Sequence, residues 1–472
     1  MFKRIAQQTA IQVVGKILSL LLGLAVVALM TRALGPEGYG QYTTVIAWLQ
    51  LTSLLTGFGL SMTVGRELGS GVIPANILLG NALSFRAITS GAAFAAAPLV
   101  ATLLGYPQPL ILSMMLVSLG FWAGSITQTI TSVFQAKLKS GWLTGVDILS
   151  RLVLLAGTCW AVYTLAPLNT YLSVFVLANL LALLLYIILA RRLIPFTWQL
   201  DLSVWRTLWL HTWPVALTTT LNVIYFKADT VILSLFRPTN EVGFYGAAYT
   251  VLEVLLAFPA ILGGLLLPQI AQASAQAQTA EIKRLYNGAA DALLAAGLAV
   301  IVGAVLVGRP LMSLIAGQDF AITGDILAVL SLAIMFSFVG NAAGYAIFAI
   351  KEQKKLIPVF ATGAVLGFVS YLMFIPTYSY WGAAWVTVGV EALVNIAMVT
   401  ILWRCGLPLS FQRWPKILLA TLALAAGLAT PIDLWLKLAL GLGLYGLVLW
   451  KTNLLVAYTK DSLTQPDSTP IL

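Results

Sequence analysis

The chain has 472 residues, 60% of them apolar and 9% charged, with a net charge of +10 and a mean hydropathy of +0.95. An ordinary globular protein carries ~25% charged residues, so this composition excludes a soluble enzyme or binding module and points to a chain that crosses a membrane many times. The basic excess is scattered through short connections rather than gathered on one solvated face, which excludes nucleic-acid binding as its purpose.

Lipid offers no partners for backbone amides, so each spanning segment is a helix of ~20 residues or a strand of a closed barrel. Continuous runs such as LSLLLGLAVVALM (18–30) lack the alternation of a barrel strand and predict helices, giving an all-α integral membrane fold. The first run holds Gln12 and Lys16 and has no small-residue cleavage site, so it is expected to stay as a helix. Charges, prolines and glycines bound apolar runs at 10–32, 42–64, 78–104, 109–133, 143–165, 169–190, 208–236, 243–270, 289–308, 322–350, 356–376, 381–403, 415–431 and 434–456. With both termini cytosolic, the outer connections hold only Arg32, Arg237, Arg309 and Lys437, and the other connecting basic residues fall inside, as the positive-inside rule requires of the correct span count.

The longest inner connection, RRLIPFTWQLDLSVWRTLWLH (191–211), mixes arginine and tryptophan as an interfacial helix does. It divides the chain into an N-lobe of helices 1–6 (1–190), a cytosolic interfacial linker (191–209), a C-lobe of helices 7–12 (210–403), helices 13–14 (404–456) and a disordered cytosolic tail (457–472). Cys159 and Cys405 lie in or beside apolar segments and offer no disulfide framework. The one histidine, His211, argues against a metal site or histidine relay.

Between the first two runs lies TRALGPEGYGQY (31–42), a corner rich in glycine, a composition that often cradles phosphate. The span count instead puts it on the outer side. PTNEVGFYGAAY (238–249) follows the seventh run in the same way, with Gly40 and Tyr42 matching Gly243 and Tyr245 at a shift of 203 residues. The two corners thus read as one hinge-like turn per lobe. The glycines suit positive φ or close packing, and Pro36 stops the first helix. Pro98, Pro214 and Pro259 fall inside spans and predict bends there.

TRALGPEGYGQY (31–42) at the end of the first helix, FKAD (226–229) in the seventh, EVGFYGAAY opening the eighth and LPQIA (267–271) closing it resemble the polysaccharide flippases of the Wzx type. These belong to the multidrug/oligosaccharidyl-lipid/polysaccharide exporter superfamily. The resemblance implies two pseudo-symmetric six-helix lobes around a central cavity in the bacterial inner membrane. It also implies a task without cofactor or catalysis: turning an undecaprenyl-diphosphate-linked oligosaccharide from the cytoplasmic to the outer leaflet. Relatives in the superfamily flip the peptidoglycan precursor or expel cationic drugs by antiport. Membrane lipids and a polymerase or another polysaccharide-assembly protein are the implied partners. H+, Na+ and the membrane potential all stand open as the driving force, since no phosphate-binding Gly-Lys-Ser/Thr loop occurs for ATP.

Independently of that resemblance, a charge at the centre of a span costs ~2.5–3.5 kcal/mol and usually faces a cavity. The cations Lys16, Arg86, Arg151 and Lys227 are therefore candidate substrate-binding residues, because a diphosphate needs several positive groups to replace its hydration. The acids Asp147, Asp229, Glu253, Asp291 and Glu391 are candidates for coupling or gating. Local pairing competes with this view: Asp147 and Arg151 sit at i,i+4 on one helical face, and Asp291 lies near the position matching Arg86 in the repeat. Lys227 and Asp229, two residues apart, point to different sides of a helix. Gln135, Asn222, Tyr225, Asn341, Tyr345 and Asn395 suit either sugar hydroxyls or helix–helix hydrogen bonds. Unpaired cations such as Lys16 and Arg86 disfavour a cation-drug antiporter, and short outer connections disfavour a polymerase or ligase.

Overall fold

In a computed structural model the described residues, 2–57, 59–70, 72–137 and 139–452, form helices joined by short connections. Side chains are described for these except at 2–10, 54–55, 57, 70, 140, 211, 213–226 and 265. The first part of the chain forms α1 (Phe2–Gly57), α2 (Leu60–Ser70), α3 (Ala75–Leu103), α4 (Gln108–Ala136), α5 (Ser140–Tyr163), α6 (Leu168–Leu193) and α7 (Leu202–Phe236). There follow α8 (Thr239–Ala275), α9 (Thr279–Ala316), α10 (Thr323–Ala349), α11 (Leu356–Arg404), α12 (Trp414–Leu428) and α13 (Leu434–Lys451). Two of these break internally, α1 at Gly35 and α11 at Ser379, so the predicted spans fall on helical segments, except that 42–64 is divided between α1 and α2. Ten helices among the described residues are long and apolar enough to cross a membrane, so the protein is a multi-pass membrane protein.

Short punctuation fixes the ends. Pro74, Pro107 and Pro167 stand at the N-caps of α3, α4 and α6, where a fixed φ is already helical and no amide hydrogen is needed. Asp201 and Asp433 cap α7 and α13, each accepting from the amide two residues on. The Ser203 amide and hydroxyl together hold the exposed Asp201 carboxyl below its ordinary range. Two turns echo each other along the chain: Gly105 and Gly317, and then Leu165 and Ser379, all have positive φ, with separations of 212 and 214 residues.

The chain separates into two compact units. The first comprises the described residues of Met1–Thr250, Ile315–Asp319 and Phe360–Val386. Its core joins α3, α4, α5 and α6 through Leu79, Ile126, Val133, Phe134 and Tyr186, and joins α1, α3 and α4 through Val45, Trp48, Phe94, Met114 and Val117. Buried indole N–H groups must find acceptors, and those of Trp48 and Trp122 reach the Ala97 and Ala87 carbonyls at 3.0 and 2.9 Å. The predicted interfacial helix differs from its expectation in form. Residues 195–200 are non-helical, and the helical part from Leu202 runs without interruption into the seventh span as α7.

The second unit comprises the described residues of Val251–Leu314, Phe320–Val359 and Thr387–Leu472. There α9 packs on α12 through Leu294 and Ile417, and on both C-terminal helices through Val307, Leu424 and Leu428. Asn287 of α9 ties down the connection leading to α12: its carboxamide oxygen accepts from the Ser410 amide at 2.6 Å and its nitrogen donates to the Pro408 carbonyl at 3.4 Å. Tyr445 of α13 donates to the Ala295 carbonyl at 2.8 Å. The predicted tail, 457–472, lies outside the described residues. Asn287→Ala removes both ties and leaves the Ser410 amide without its acceptor, a loss of ~1–3 kcal/mol. A thermal melt of the purified variant is expected to fall by a few degrees, and an unchanged melt contradicts the clamp.

Candidate functional site

In the first unit the two corners meet. Leu34 ends the first helical segment of α1, and Gly35 takes φ 66° and ψ −179°, a conformation that L side chains rarely tolerate. Pro36 then starts the next segment, its ring pre-set for a first helical turn. The corner is therefore a sharp break in a nearly continuous helix. Arg237 and Pro238 do the same work between α7 and α8.

The crossing of these corners leaves no room for side chains. A Cβ on Gly40 would lie 1.7 Å from the Thr239 carbonyl oxygen, and one on Gly243 would lie 2.2 Å from the Pro36 carbonyl oxygen. Each would also lie 3.1 Å from the other glycine's amide nitrogen. Thr239 follows Pro36 by the same 203 residues by which Gly243 follows Gly40, so the contact is reciprocal. Next to it, a Cβ on Gly246 would meet the Thr43 methyl at 2.4 Å, and the Tyr39 and Thr250 hydroxyls are 3.4 Å apart. The close packing foreseen for these glycines is thus between the two corners rather than between the two segments of α1.

Charges and hydroxyls fix the second corner from both sides. Asp229 is fully buried; one carboxylate oxygen accepts from the Tyr245 hydroxyl at 2.6 Å, and the other from the Thr230 amide and hydroxyl at 2.6 and 3.1 Å. Lys227 points elsewhere, its ammonium 5.1 Å from the ring centre of Tyr249, which packs at 5.6 Å on Tyr245. The pair two residues apart is thus held by different partners, as its spacing requires. Beyond the corner Arg237 forks onto Glu241 at 2.8 and 3.1 Å, and the Ser379 hydroxyl donates to the same carboxylate. Ser379 has φ 56° at the break in α11, so this bond pins a strained turn to the corner.

Arg86 is 2% exposed within the first unit; Nε donates to the Ser125 carbonyl at 3.2 Å and Nη2 to the Gln128 amide oxygen at 3.0 Å, and Nη1 has no hydrogen-bond partner among the described residues. Asp147 accepts from the Tyr186 hydroxyl at 2.6 Å, with Arg151 exposed one turn on. Lys16 is exposed beside Gly15, where α1 meets Thr144 of α5. In the second unit Asp291, near the position matching Arg86, lies 3.8 Å from Arg413. Glu391 accepts from Asn395 at 2.8 Å and Glu253 is exposed. Asn341 bonds to the Ser337 carbonyl of its own helix at 2.7 Å, and Tyr345 packs on Gly263, while Gln135 is exposed. His211, Pro214, Asn222, Tyr225 and Phe226 lie outside the residues whose side chains are described.

Sequence reasoning missed Tyr245 as the partner of Asp229 and Ser379 as the partner of the corner. Tyr245 stood in the repeated motif and was legible there. Nothing near Ser379 in sequence pointed 138 residues back to Glu241.

Residues 5–274 match the family model described as polysaccharide biosynthesis protein. No curated protein matches the chain. Among solved structures the fold is similar to the lipid II flippase MurJ in an inward closed conformation, with TM-score 0.80 and 14% identity over 94% of this chain and 99% of that one. It is also similar to an inward-facing MATE family multidrug resistance transporter of the MOP superfamily (TM-score 0.64, 13% identity, 84% and 98% coverage). The MATE transporter VcmN of Vibrio cholerae is a third (TM-score 0.60, 15% identity, 84% and 97% coverage). These relatives move molecules across membranes and are not enzymes.

Two substitutions test the site. Gly243→Val puts a branched side chain where 2.2 Å is free, so membrane abundance or thermal stability is expected to drop sharply, whereas Gly35→Ala, with open space around it, costs ~1–3 kcal/mol of backbone strain alone. Equal effects of the two changes contradict the crossing. Tyr245→Phe, which strips a donor from a buried carboxylate, is expected to cost ~1–3 kcal/mol in a thermal melt, and a neutral result removes Asp229 as an anchor of α8. The family match covers more than half of the chain, which therefore belongs to the polysaccharide biosynthesis protein family.

Proposed function

We propose that the protein flips an undecaprenyl-diphosphate-linked oligosaccharide from the cytoplasmic to the outer leaflet of the bacterial inner membrane, alternating between inward-open and outward-open forms for polysaccharide export. In this proposal Lys16, Arg86, Arg151 and Lys227 contact the diphosphate or acidic sugars. Asp147, Asp229, Glu253, Asp291 and Glu391 serve coupling to H+ or Na+, or gating. Both termini face the cytosol, the N-lobe and C-lobe divide at 191–209, and the crossing of the corners is the outer gate.

The observation that carries the proposal is Arg86. A guanidinium sits midway along an apolar helix, its hydrogen bonds go to a carbonyl and an amide, and one nitrogen has no partner among the described residues. Burying a cation against neutral groups is costly, and an anionic cargo repays that cost. A carrier of cationic drugs gains nothing from it. Gln128, the exposed partner of Arg86, leads from that cation to the surface of α4.

A second reading has one observation in its favour: the 0.80 TM-score to a lipid II flippase makes a peptidoglycan precursor the alternative cargo. The diphosphate is common to both, so the cations serve either.

Alanine at Lys16 or Arg86 is expected to lower polymer export about tenfold at matched membrane abundance, the scale of one lost charge-assisted hydrogen bond. Arg86→Lys, which keeps the charge, is expected to recover part of it. Full export by both alanine variants overturns the assignment of these cations. Growth of cells depleted of their own peptidoglycan-precursor flippase separates the two cargoes: failure to rescue supports the oligosaccharide and rescue supports the precursor.

A further inference from the structure

The connection between α6 and α7 has a surface that the transport reading leaves unused. At 35 residues, α7 is about 52 Å long, well beyond the ~30 Å hydrocarbon core, so a stretch of it projects past the apolar layer. In its first turns Val204, Trp205 and Leu208 face inward against Leu60, Val64 and Phe85, with Trp205 edge-on to Phe85 at 5.2 Å. Leu202, Arg206, Trp209 and Leu210, at spacings of four, seven and eight, share the opposite face and are all exposed. Leu202 is 77% exposed and Leu210 53%. The preceding extended segment adds exposed Trp198 and Leu200, and the last turn of α6 adds exposed Arg191 and Arg192.

This surface is rigidly mounted. A Cβ on Gly80 of α3 would lie 2.1 Å from the Thr197 carbonyl oxygen, so the strap lies directly on that helix. Asn81 bonds to Gln199 at 3.3 Å and accepts from the Asp201 amide at 2.8 Å. The carboxylate within the strap, Asp201, is taken up by the Ser203 amide and hydroxyl at 2.8 and 2.6 Å. Phe196 turns inward beneath Arg191, whose guanidinium lies 5.4 Å from its ring centre. Three arginines and a row of leucine and tryptophan therefore face outward, and among the described residues no acid is paired with any of the three.

Water does not favour exposed leucine and tryptophan, and hydrocarbon does not favour three guanidinium groups. A headgroup region satisfies both, taking the rings and aliphatic chains among the upper acyl carbons while phosphates meet the arginines. We propose that the 191–210 strap is a binding surface for anionic phospholipid headgroups of the bilayer, selecting them over zwitterionic ones through Arg191, Arg192 and Arg206. The surface is separate from the intramembrane cations assigned to cargo and does not rest on that assignment.

The full-length protein, exchanged into micelles with equal amounts of phosphatidylglycerol and phosphatidylcholine, is analysed by native mass spectrometry for retained lipid. The wild type is expected to retain phosphatidylglycerol preferentially, with the preference falling ~5-fold for each arginine changed to glutamine and weakening as salt is raised. All three arginines are exposed, so Arg206→Gln alone, checked by its thermal melt, supplies the result if the triple variant is unstable. Lys437→Gln, far along the chain, is expected to leave the preference unchanged. A wild type without preference, or variants that keep it in full, overturns the proposal.

Discussion

Backbone meeting backbone at Gly40 and Gly243 is the constraint on which the first unit depends. Helices normally approach to 8–10 Å because side chains intervene. Here both chains carry hydrogen at the crossing, and each glycine lies against the carbonyl that begins the other helix. In lipid, where no water-driven force gathers apolar surfaces, such close approach is a main source of helix–helix attraction, through dispersion and backbone dipoles. The elements around it follow. Asp229 and Tyr245 hold α7 to α8, the Arg237–Glu241 pair closes the turn between them, and Ser379 carries the break in α11 to the same place. Arg32 at the first corner lies 3.5 Å from where a Cβ on Gly317 would stand, in the connection between α9 and α10.

A contact of this kind suits a gate. It has little side-chain surface to rearrange, because glycine stands at the crossing on both sides. Separating the segments therefore costs mainly dispersion, which is spread over many weak contacts. The bonds that would resist separation most, from Asp229 and Glu241, lie to one side, tying each segment to its own neighbours. The same division appears in the charges. Arg86 and Asp147 are each held inside the first unit by neutral partners, and Asp291 and Glu391 are held within the second.

Much of this was legible in the sequence, for physical reasons that apply to membrane chains in particular. Hydrocarbon forces every helical span to be long, so apolar runs mark the spanning segments, and the glycine–tyrosine repeat marks both corners. Positive φ was one of the two uses foreseen for the corner's glycines, close packing being the other, and Gly35 takes it. Partnerships were not legible, because they depend on which residues of distant helices face each other. Asp147 with Arg151 looked self-sufficient at i,i+4, yet the hydrogen bond to Asp147 comes from Tyr186, on α6. Arg86 was expected to lack a nearby acid and does meet neutral groups, but burial against Gln128 and Ser125 is a tertiary fact. The strap at 191–210 carried its interfacial composition openly. Its continuity with α7 was hidden because a change from interfacial to apolar composition was read as a boundary, although no helix-breaking residue marks one there.

The central claim is that the corners cross in one state of the transport cycle and part in another. Spin labels at Glu37→Cys and Asn240→Cys, exposed positions that correspond at the 203-residue shift, report the separation by pulsed electron–electron resonance in reconstituted membranes. The account predicts a short, narrow distance without cargo and a second, longer population when an undecaprenyl-diphosphate-linked oligosaccharide is supplied. A single unchanged distance while labelled protein continues to flip its cargo contradicts it.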